Sequence, residues 1–284
     1  MSTMAFDKEI YNQVSKVKLL PTLVNARRML EIIHEQTGTV RELESIISYD
    51  AALAANLVIT GNTSCYGHRG KVSTLSKAMT VLGLDQVKAM CLFTLMNNWI
   101  ENVSAITEPH RERLWKHSFV ASKIAVELSG KRPWMNVEEA FLLGLLYDIG
   151  WQIMAVRFVE QFEAIFEAAA RTNVPPWWIE VRYGISHTEI GLYLAAQRAL
   201  PESFQAVAAF HHCPEKSGSF KTEVTLICLV DVLAHSREHP EVVNDEMTLS
   251  RCRRLFISEE EWSGYQERLD RIWFEADHLW RLLQ

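Results

Sequence analysis

Apolar residues recur along this chain at intervals of three and four, the spacing that predicts amphipathic helices. The clearest such face is formed by Leu114, His117, Ala121, Ile124 and Leu128. Gly130 follows this face, at a position where glycine often ends a helix. Alternation with a period of two, typical of half-buried strands, is hard to find. The pattern therefore predicts an all-α fold.

Glycine, proline and capping residues predict where several helices begin and end. Residues 140–147 are apolar on all sides, which is typical of a buried helix. Gly150 is expected to interrupt the pattern before a helix over 151–170. Ser186, with Glu189 three residues later, matches a capping box and predicts that a helix begins there.

The remaining predicted helices and one predicted loop are spread over the rest of the chain. Pro201 suits the first turn of one helix, and Thr222 is a candidate cap of the next. Residues 60–70 hold three glycines and are predicted to form a loop. Other helices are predicted at about 6–17, 23–33, 40–47, 51–59, 73–81, 85–99 and 262–283.

No composition shift cuts the chain sharply, and the best internal seam lies near residues 102–109. We therefore expect an N-terminal helical part over residues 1–105 and a helical core over 106–240. A C-terminal helical extension over 241–284 is expected to pack on this core. The length suits one large domain or two modest ones.

Charge and composition exclude several classes of protein. The chain has 29 Lys and Arg against 35 Asp and Glu, a net charge of −6 without the dense basic stripe of nucleic-acid-binding proteins. No signal peptide is recognisable, and the most apolar stretches contain Asp148 and Asp231, so we expect neither a membrane nor a nucleic-acid partner. Five cysteines without a Cys-x-x-Cys motif argue against a disulfide framework. The expected location is the cytoplasm.

Imidazoles and carboxylates in apolar surroundings are the candidate chemistry. They lie at His117, Asp148, His187, His211, His212 and Asp231. A buried carboxylate must be paired, hydrogen-bonded or metal-bound, because desolvating it alone costs several kcal/mol. Taken singly, none of these residues indicates a metal site, because each is more often a hydrogen-bonded core residue or a residue at a helix end.

The order of these residues resembles the ligand order of HD-type metal phosphohydrolases. The segment 144–150 (Gly-Leu-Leu-Tyr-Asp-Ile-Gly) is similar to their His-Asp signature, with Tyr147 in place of the histidine. Earlier segments narrow the resemblance to the HD-related output domain (HDOD), and it extends from about Leu20 to His235. These segments are 20–23, 46–53, Asn62 with Tyr66-Gly67, and 78–83.

The resemblance implies an HD-like helical core preceded by an N-terminal helical bundle. The first metal position is expected to be damaged, since the neutral phenol of Tyr147 is a poor metal ligand at pH 7. Asp148 with His187, His211 and His212 forms a set of three nitrogens and one oxygen, which suits Fe, Mn, Ni or Zn. His117 and Asp231 are expected close by. The acidic and Gly-Tyr-Pro continuation of relatives that hydrolyse cyclic di-GMP is missing after His212.

Two functions follow from the resemblance. The first is a non-catalytic bacterial signalling module that acts through protein contacts, as an output module of a two-component response-regulator pathway. Trp177-Trp178 is then a candidate anchor, or else a loop folded onto the core, and a homo-oligomer is compatible with this hypothesis. The alternative is a metal-dependent phosphohydrolase of nucleotides or other phosphoesters, in which Asp148 and Asp231 hold or orient a metal-bound water beside His117.

Overall fold

A computed structural model describes residues 8–17, 40–48, 51–62, 72–84, 87, 90–91, 106–130, 132, 135–197 and 200–283. The helix predicted at 23–33, most of the helix predicted at 85–99 and residues 63–70 of the loop predicted at 60–70 lie outside the described residues. The first two residues of that loop, Thr60 and Gly61, belong to a helix.

All regular structure in the described residues is helical, without a strand, which confirms the all-α prediction. The α-helices are α1 (Lys8–Ser15), α2 (Val40–Ile47), α3 (Ala51–Gly61), α4 (Leu75–Leu82), α5 (Glu108–Ser129), α6 (Val137–Leu146), α7 (Ile149–Arg157), α8 (Val159–Thr172), α9 (Pro176–Ile179), α10 (His187–Gln197), α11 (Glu202–Phe210), α12 (Lys221–Ala234), α13 (Glu246–Arg254) and α14 (Glu259–Leu283). Short 3₁₀ segments lie at Glu180–Tyr183, Pro214–Lys216 and Pro240–Val242.

The chain divides into two compact units. The larger unit holds the described residues of 1–17 and 105–276, and the smaller holds those of 18–104 and 277–284. The three-part division expected from the sequence stays a prediction, and these units differ from it at α1. This helix buries Val14 and Val17 in the larger unit, where Arg157 donates a hydrogen bond to the Lys16 carbonyl at 2.8 Å.

The core of the larger unit forms where α5 packs along α6 and α12. Phe119, Ile124 and Leu143 are almost fully buried there. Gly144 allows the close approach of α5 and α6, because a Cβ atom at this position would lie 2.8 Å from the Ala121 carbonyl oxygen. This packing places the C-terminal end of α6, and with it Asp148, deep in the unit.

A second close approach joins α7 to α10. A Cβ atom on Gly150 would lie 1.9 Å from the carbonyl oxygen of His187, far inside van der Waals contact. Gly150 therefore lies within α7 and does not break it, contrary to the sequence expectation. The predicted interruption is present two residues earlier, at Tyr147 and Asp148 between α6 and α7. A second break, which the sequence did not predict, comes at Phe158 between α7 and α8, where the backbone leaves the helical conformation.

Other predicted helix ends shift by a residue or two. Helix α10 begins at His187, directly after the predicted cap Ser186. The Ser186 hydroxyl contacts two side chains: it donates to Glu180 Oε1 at 3.3 Å and lies 2.8 Å from Thr188 Oγ1. Pro201 is the cap of α11, just before its first turn, whereas Thr222 lies inside the first turn of α12. Apart from the helix predicted over 151–170, which is divided at Phe158, these differences leave the predicted helices of the larger unit in place.

The C-terminal helices complete the larger unit. Trp262 of α14 is almost fully buried, and its indole N–H donates to the Val243 carbonyl at 3.0 Å. Arg132 donates to the Leu128 carbonyl at 2.7 Å and reaches Glu261 at 3.3 Å. The predicted apolar face of the tail is thus buried through Trp262 and Leu269.

In the smaller unit, α3 packs against α4. The side chain of Asn62, at the end of α3, closes this pair. Its amide group donates to the Val58 and Val72 carbonyls at 2.9 and 2.7 Å, and its oxygen accepts from the Val72 N–H at 3.0 Å. Thr74 then caps α4 by accepting from the Lys77 N–H.

One described stretch, Glu139–Arg157, is long and apolar enough to cross a membrane by composition. It is 78% buried inside the protein and includes the break between α6 and α7. Its hydropathy is therefore that of a core element.

Candidate metal centre

Four predicted ligands converge in the larger unit. Asp148 lies in the turn between α6 and α7, His187 begins α10, and His211 and His212 follow α11. The Nε2 atom of His187 lies 3.3 Å from His211 Nε2, 3.2 Å from His212 Nε2 and 3.3 Å from Asp148 Oδ1. The structure thus brings together the set of three nitrogens and one oxygen expected from the sequence.

The opposite ring nitrogen of each histidine fixes which atom carries the proton. His211 Nδ1 donates to the Val207 carbonyl at 3.0 Å, and a carbonyl can only accept. His187 Nδ1 lies 2.8 Å from Glu180 Oε2, and His212 Nδ1 lies 3.3 Å from Asp231 Oδ2. With each proton drawn to Nδ1, the three Nε2 lone pairs face one another.

Three facing lone pairs repel unless a cation lies between them. His187 Nε2 lies 3.2–3.3 Å from each of the other three donors, and His211 Nε2 lies 3.7 Å from Asp148 Oδ1, and these four separations match a metal site. Ligands about 2.1 Å from a tetrahedral metal are about 3.4 Å apart. Asp148 Oδ1 is also buried without a hydrogen-bond partner in the described part of the chain. The donor set therefore fits a divalent transition metal, which would supply a Lewis-acid centre when bound.

Burial prepares these groups electrostatically for a cation. Burial, and then the neighbouring His212, lower the pKa of His187 and His211 well below their usual range, so both imidazoles are neutral at pH 7. Burial, and then the Asp231 charge, raise the pKa of Asp148 well above its usual range. A bound cation would favour the ionised Asp148, so binding is expected to release a proton.

The second carboxylate oxygen of Asp148 faces a different set of residues. His117 Nε2 lies 3.4 Å from Asp148 Oδ2 and 3.7 Å from Asp231 Oδ1, and His235 Nε2 lies 3.4 Å from Asp231 Oδ1. One donor atom from each of these four residues falls within 4.8 Å of the others. The predicted proximity of His117 and Asp231 to Asp148 is therefore present in the structure.

Tyr147 lies within this second set and links two of its members. Its phenol donates to Asp231 Oδ1 at 2.8 Å and lies 2.5 Å from His117 Nε2. Burial, and then Asp231, raise the pKa of Tyr147 well above its usual value, so the phenol keeps its proton. Since Tyr147 already hydrogen-bonds His117 and Asp231, the second set forms a network of its own without a cation.

Sequence reasoning missed two ionisable residues of the site. Glu180 is 4% exposed and accepts from both the backbone N–H and Nδ1 of His187. His235 lies one helical turn after Asp231, so the spacing of four residues in an apolar helix was a signal for it. For Glu180 the sequence offered no comparable signal, because its segment reads as the turn after Pro175-Pro176.

Tryptophans cover both ends of the imidazole group. The ring of Trp151 stacks on His187 with centroids 4.5 Å apart, and that of Trp177 stacks on His212 at 4.9 Å. Trp177 thus faces inward, whereas Trp178 is 68% exposed. The two residues of the predicted Trp-Trp anchor have different environments.

Replacing Glu180 with glutamine is expected to weaken metal binding by about 10- to 100-fold, the usual cost of losing a group that orients a ligand. Burial raises the pKa of Glu180 to about 7, so at pH 8 the carboxylate is mostly ionised and holds the Nδ1 proton. Competition with a fluorescent chelator at pH 8 measures the affinity. Glu189→Gln, on the same helix as His187, is the control, and equal losses in both variants would contradict the assignment.

His235 is expected to make stability depend on pH. Burial acts to lower its pKa, but Asp231 and then Glu238 raise it to about 9 from the usual 6.5. The folded chain therefore holds an extra proton between these values. This stabilisation is complete below pH 6.5 and is lost as the pH rises through 9, by about 3 kcal/mol. Urea unfolding of chelator-treated wild type and His235→Gln at pH 6 and pH 9 measures it; parallel changes in both proteins would refute it.

Comparison with known proteins agrees with the helical fold. The sequence model of the HDOD domain matches residues 19–214. A curated relative from Treponema pallidum (strain Nichols), described as "Uncharacterized protein", is 22% identical over 227 residues, which is 78% of this chain and 43% of the relative. The chain therefore spans less than half the length of this relative.

Solved structures share the fold at low sequence identity. An HDOD domain protein of unknown function from Geobacter sulfurreducens is 20% identical, with a TM-score of 0.69 over 95% of this chain and 98% of the other. A "putative phosphohydrolase" from Shewanella amazonensis SB2B is 18% identical, with a TM-score of 0.65 over 98% of each chain. A "putative signal transduction protein" from Marinobacter aquaeolei VT8 is 19% identical, with a TM-score of 0.67 over 93% of this chain and 59% of the other.

Proposed function

Since this chain belongs to the HDOD domain family, we propose that it is a cytoplasmic, non-catalytic signalling module that binds a transition metal and acts through protein contacts. Its family and the signal transduction protein among its structural relatives support a signalling-related role. The metal is held by Asp148, His187, His211 and His212. Its role is structural or sensory, and the partner belongs to a response-regulator pathway.

The enclosure of the site is the observation that carries this proposal. The side chains of His187 and His211 are 0% exposed, that of Asp148 is 10% exposed and that of His212 is 19% exposed. A phosphoester must bring its phosphate to the metal for hydrolysis, and Trp177 lies stacked on His212. Four protein donors and an aromatic cover suit a metal that is held rather than one that turns over substrate.

The segment from Pro176 to Tyr183 connects the site to the surface. Its inward side chains, Trp177 and Glu180, contact His212 and His187. Its outward side chains, Trp178 and Val181, are 68% and 75% exposed. Exposed tryptophans are frequent anchors of protein interfaces. A metal that fixes both histidines would therefore order a segment with apolar side chains on its outer face.

Hydrogen exchange tests this connection. We expect the amides of residues 176–183 to exchange more slowly in metal-loaded than in chelator-treated protein, while those of α14 remain unchanged. A photo-crosslinking amino acid in place of Trp178 should then capture a protein in metal-replete cells and not in metal-depleted ones. Equal exchange rates of these amides with and without metal would refute the connection.

Metal-dependent phosphoester hydrolysis remains the second candidate, favoured by one observation. Asp231 and His117 lie beside Asp148, at positions where they could orient an attacking water. A panel of nucleotides and simple phosphoesters with Mn, Fe or Ni separates the two candidates. We expect metal to be bound without turnover. Turnover that requires the metal and disappears in Asp148→Ala would establish the hydrolase and overturn the non-catalytic proposal.

A further inference from the structure

A pocket of about 270 Å³ lies outside the histidine cluster, where the turn after His212 meets the start of α12. Its polar lining is formed by Lys221, Thr222, Thr225 and Arg254, and its apolar wall by Pro214 and Leu255. All of these residues lie in the larger unit. No part of the function proposed above uses this pocket.

The pocket has an excess of positive charge. Within the described residues, neither Lys221 nor Arg254 has a carboxylate within ion-pair distance. The carboxylate in the wall, Glu215, is already paired with Arg251, whose Nε and Nη2 atoms each donate to it at 3.1 Å. Arg251 and, more weakly, Arg254 lower the pKa of Glu215, but neither Arg254 nor Lys221 is in direct contact with that carboxylate. Their two charges therefore remain for a ligand and match the dianion of a phosphate monoester.

The hydroxyl group of a largely buried threonine adds a directional donor. Thr225 is 4% exposed, lines the pocket, and its hydroxyl has no hydrogen-bond partner among the described residues. The hydroxyl oxygen is not one of the fully buried polar atoms that lack a partner, so it opens onto the pocket and is available to donate to a bound ligand. The first turn of α12 also opens here, and no side chain caps it. The first N–H groups of a helix have no acceptor within it and point out of its N-terminal end, where they favour an anion.

From these features we infer that the pocket is a binding site for a small phosphate monoester. Lys221 and Arg254 contact the phosphate, the Thr225 hydroxyl donates to one of its oxygens, and Pro214 and Leu255 contact the organic part. The volume is below the 300–1,000 Å³ of most ligand pockets, which favours a small ligand over a dinucleotide. The site gives the signalling module an input separate from its metal.

Isothermal titration calorimetry of the full chain tests this site, with inorganic phosphate and ribose 5-phosphate as probes and ribose as the neutral control. The protein is treated with chelator beforehand, so that phosphate cannot bind to a metal. We expect saturable binding of both phosphates and none of ribose. Lys221→Gln, Arg254→Gln and Thr225→Val should each weaken binding about tenfold or more, since each removes a hydrogen bond to a charged group.

Arg253→Gln is the matched control, because Arg253 precedes Arg254 and is exposed like it, but does not line the pocket and is paired with Glu246. Binding that is unchanged in this variant and weakened in the other three supports the site. Equal weakening in all four variants, or no saturable binding at millimolar phosphate, overturns it. Because the chelator-treated chain is used throughout, failure here leaves the metal centre untouched, and failure of the metal centre leaves this test valid.

Discussion

His187→Gln is expected to lower the affinity for a divalent transition metal by more than about 100-fold, which exceeds the usual cost of losing a residue that only orients a ligand. The reason is geometric: His187 Nε2 lies within 3.3 Å of the other three donors, so it is the ligand that all of them share as a neighbour. Plasma mass spectrometry of untagged protein, purified without chelator, measures the metal content. The expected result is one equivalent in wild type and none in the variant.

His117→Gln separates the two sets of ionisable residues. His117 is buried and near Asp148, but its Nε2 atom contacts the Tyr147 phenol rather than the three facing nitrogens. We expect this variant to keep its metal. If His117→Gln loses the metal while His187→Gln keeps it, the ion belongs to the set formed by His117, Asp148, Asp231 and His235. Circular dichroism confirms that both variants are folded.

Gly150→Ala is expected to destabilise the larger unit by at least about 3 kcal/mol, at the upper end of the usual cost of overpacking. The new Cβ atom would lie 1.9 Å from the His187 carbonyl oxygen, and backbone cannot move aside as a flexible side chain can. Helix α10 would have to retreat from α7. That movement would also carry His187 away from Asp148, so the free energy of urea unfolding and the metal content should fall together.

Gly191→Ala is the control for this experiment. It makes the same change at a helical glycine of α10, and so measures the effect of the residue type without the clash. A Cβ atom there meets its nearest neighbour at 3.5 Å, an ordinary contact. We expect this variant to keep its metal and to unfold within about 1 kcal/mol of wild type. If Gly150→Ala were equally mild, the close approach of α7 and α10 would not be a constraint on the site.

The all-α fold was accessible from the sequence because helical periodicity is local. The face that runs from Leu114 to Leu128 needs no knowledge of other helices, and α5 is found there. Break positions were less accessible. An interruption was expected at Gly150 and is found two residues earlier, because this glycine is required by the nearby backbone of His187, a contact between helices distant in sequence, and not by a helix end.

The candidate site divides in the same way. The convergence of Asp148, His187, His211 and His212 followed from the resemblance of their order to the ligand order of HD-type metal phosphohydrolases, whereas the metal they would hold stays a prediction. Glu180 was out of reach because its role depends on meeting His187 across a turn. The sequence also showed Tyr147 as a lost ligand, but not that its phenol joins His117 to Asp231.

The Nδ1 atoms of His187, His211 and His212 face three different parts of the chain. These are the 3₁₀ segment through Glu180, α11 through the Val207 carbonyl, and α12 through Asp231. A metal on the opposite nitrogens would therefore act as a cross-link between stretches of chain that are far apart in sequence. At a free concentration 1,000 times its dissociation constant, such a ligand stabilises the folded state by about 4 kcal/mol. Cells short of the metal would then degrade this protein faster, so its abundance would follow the metal supply.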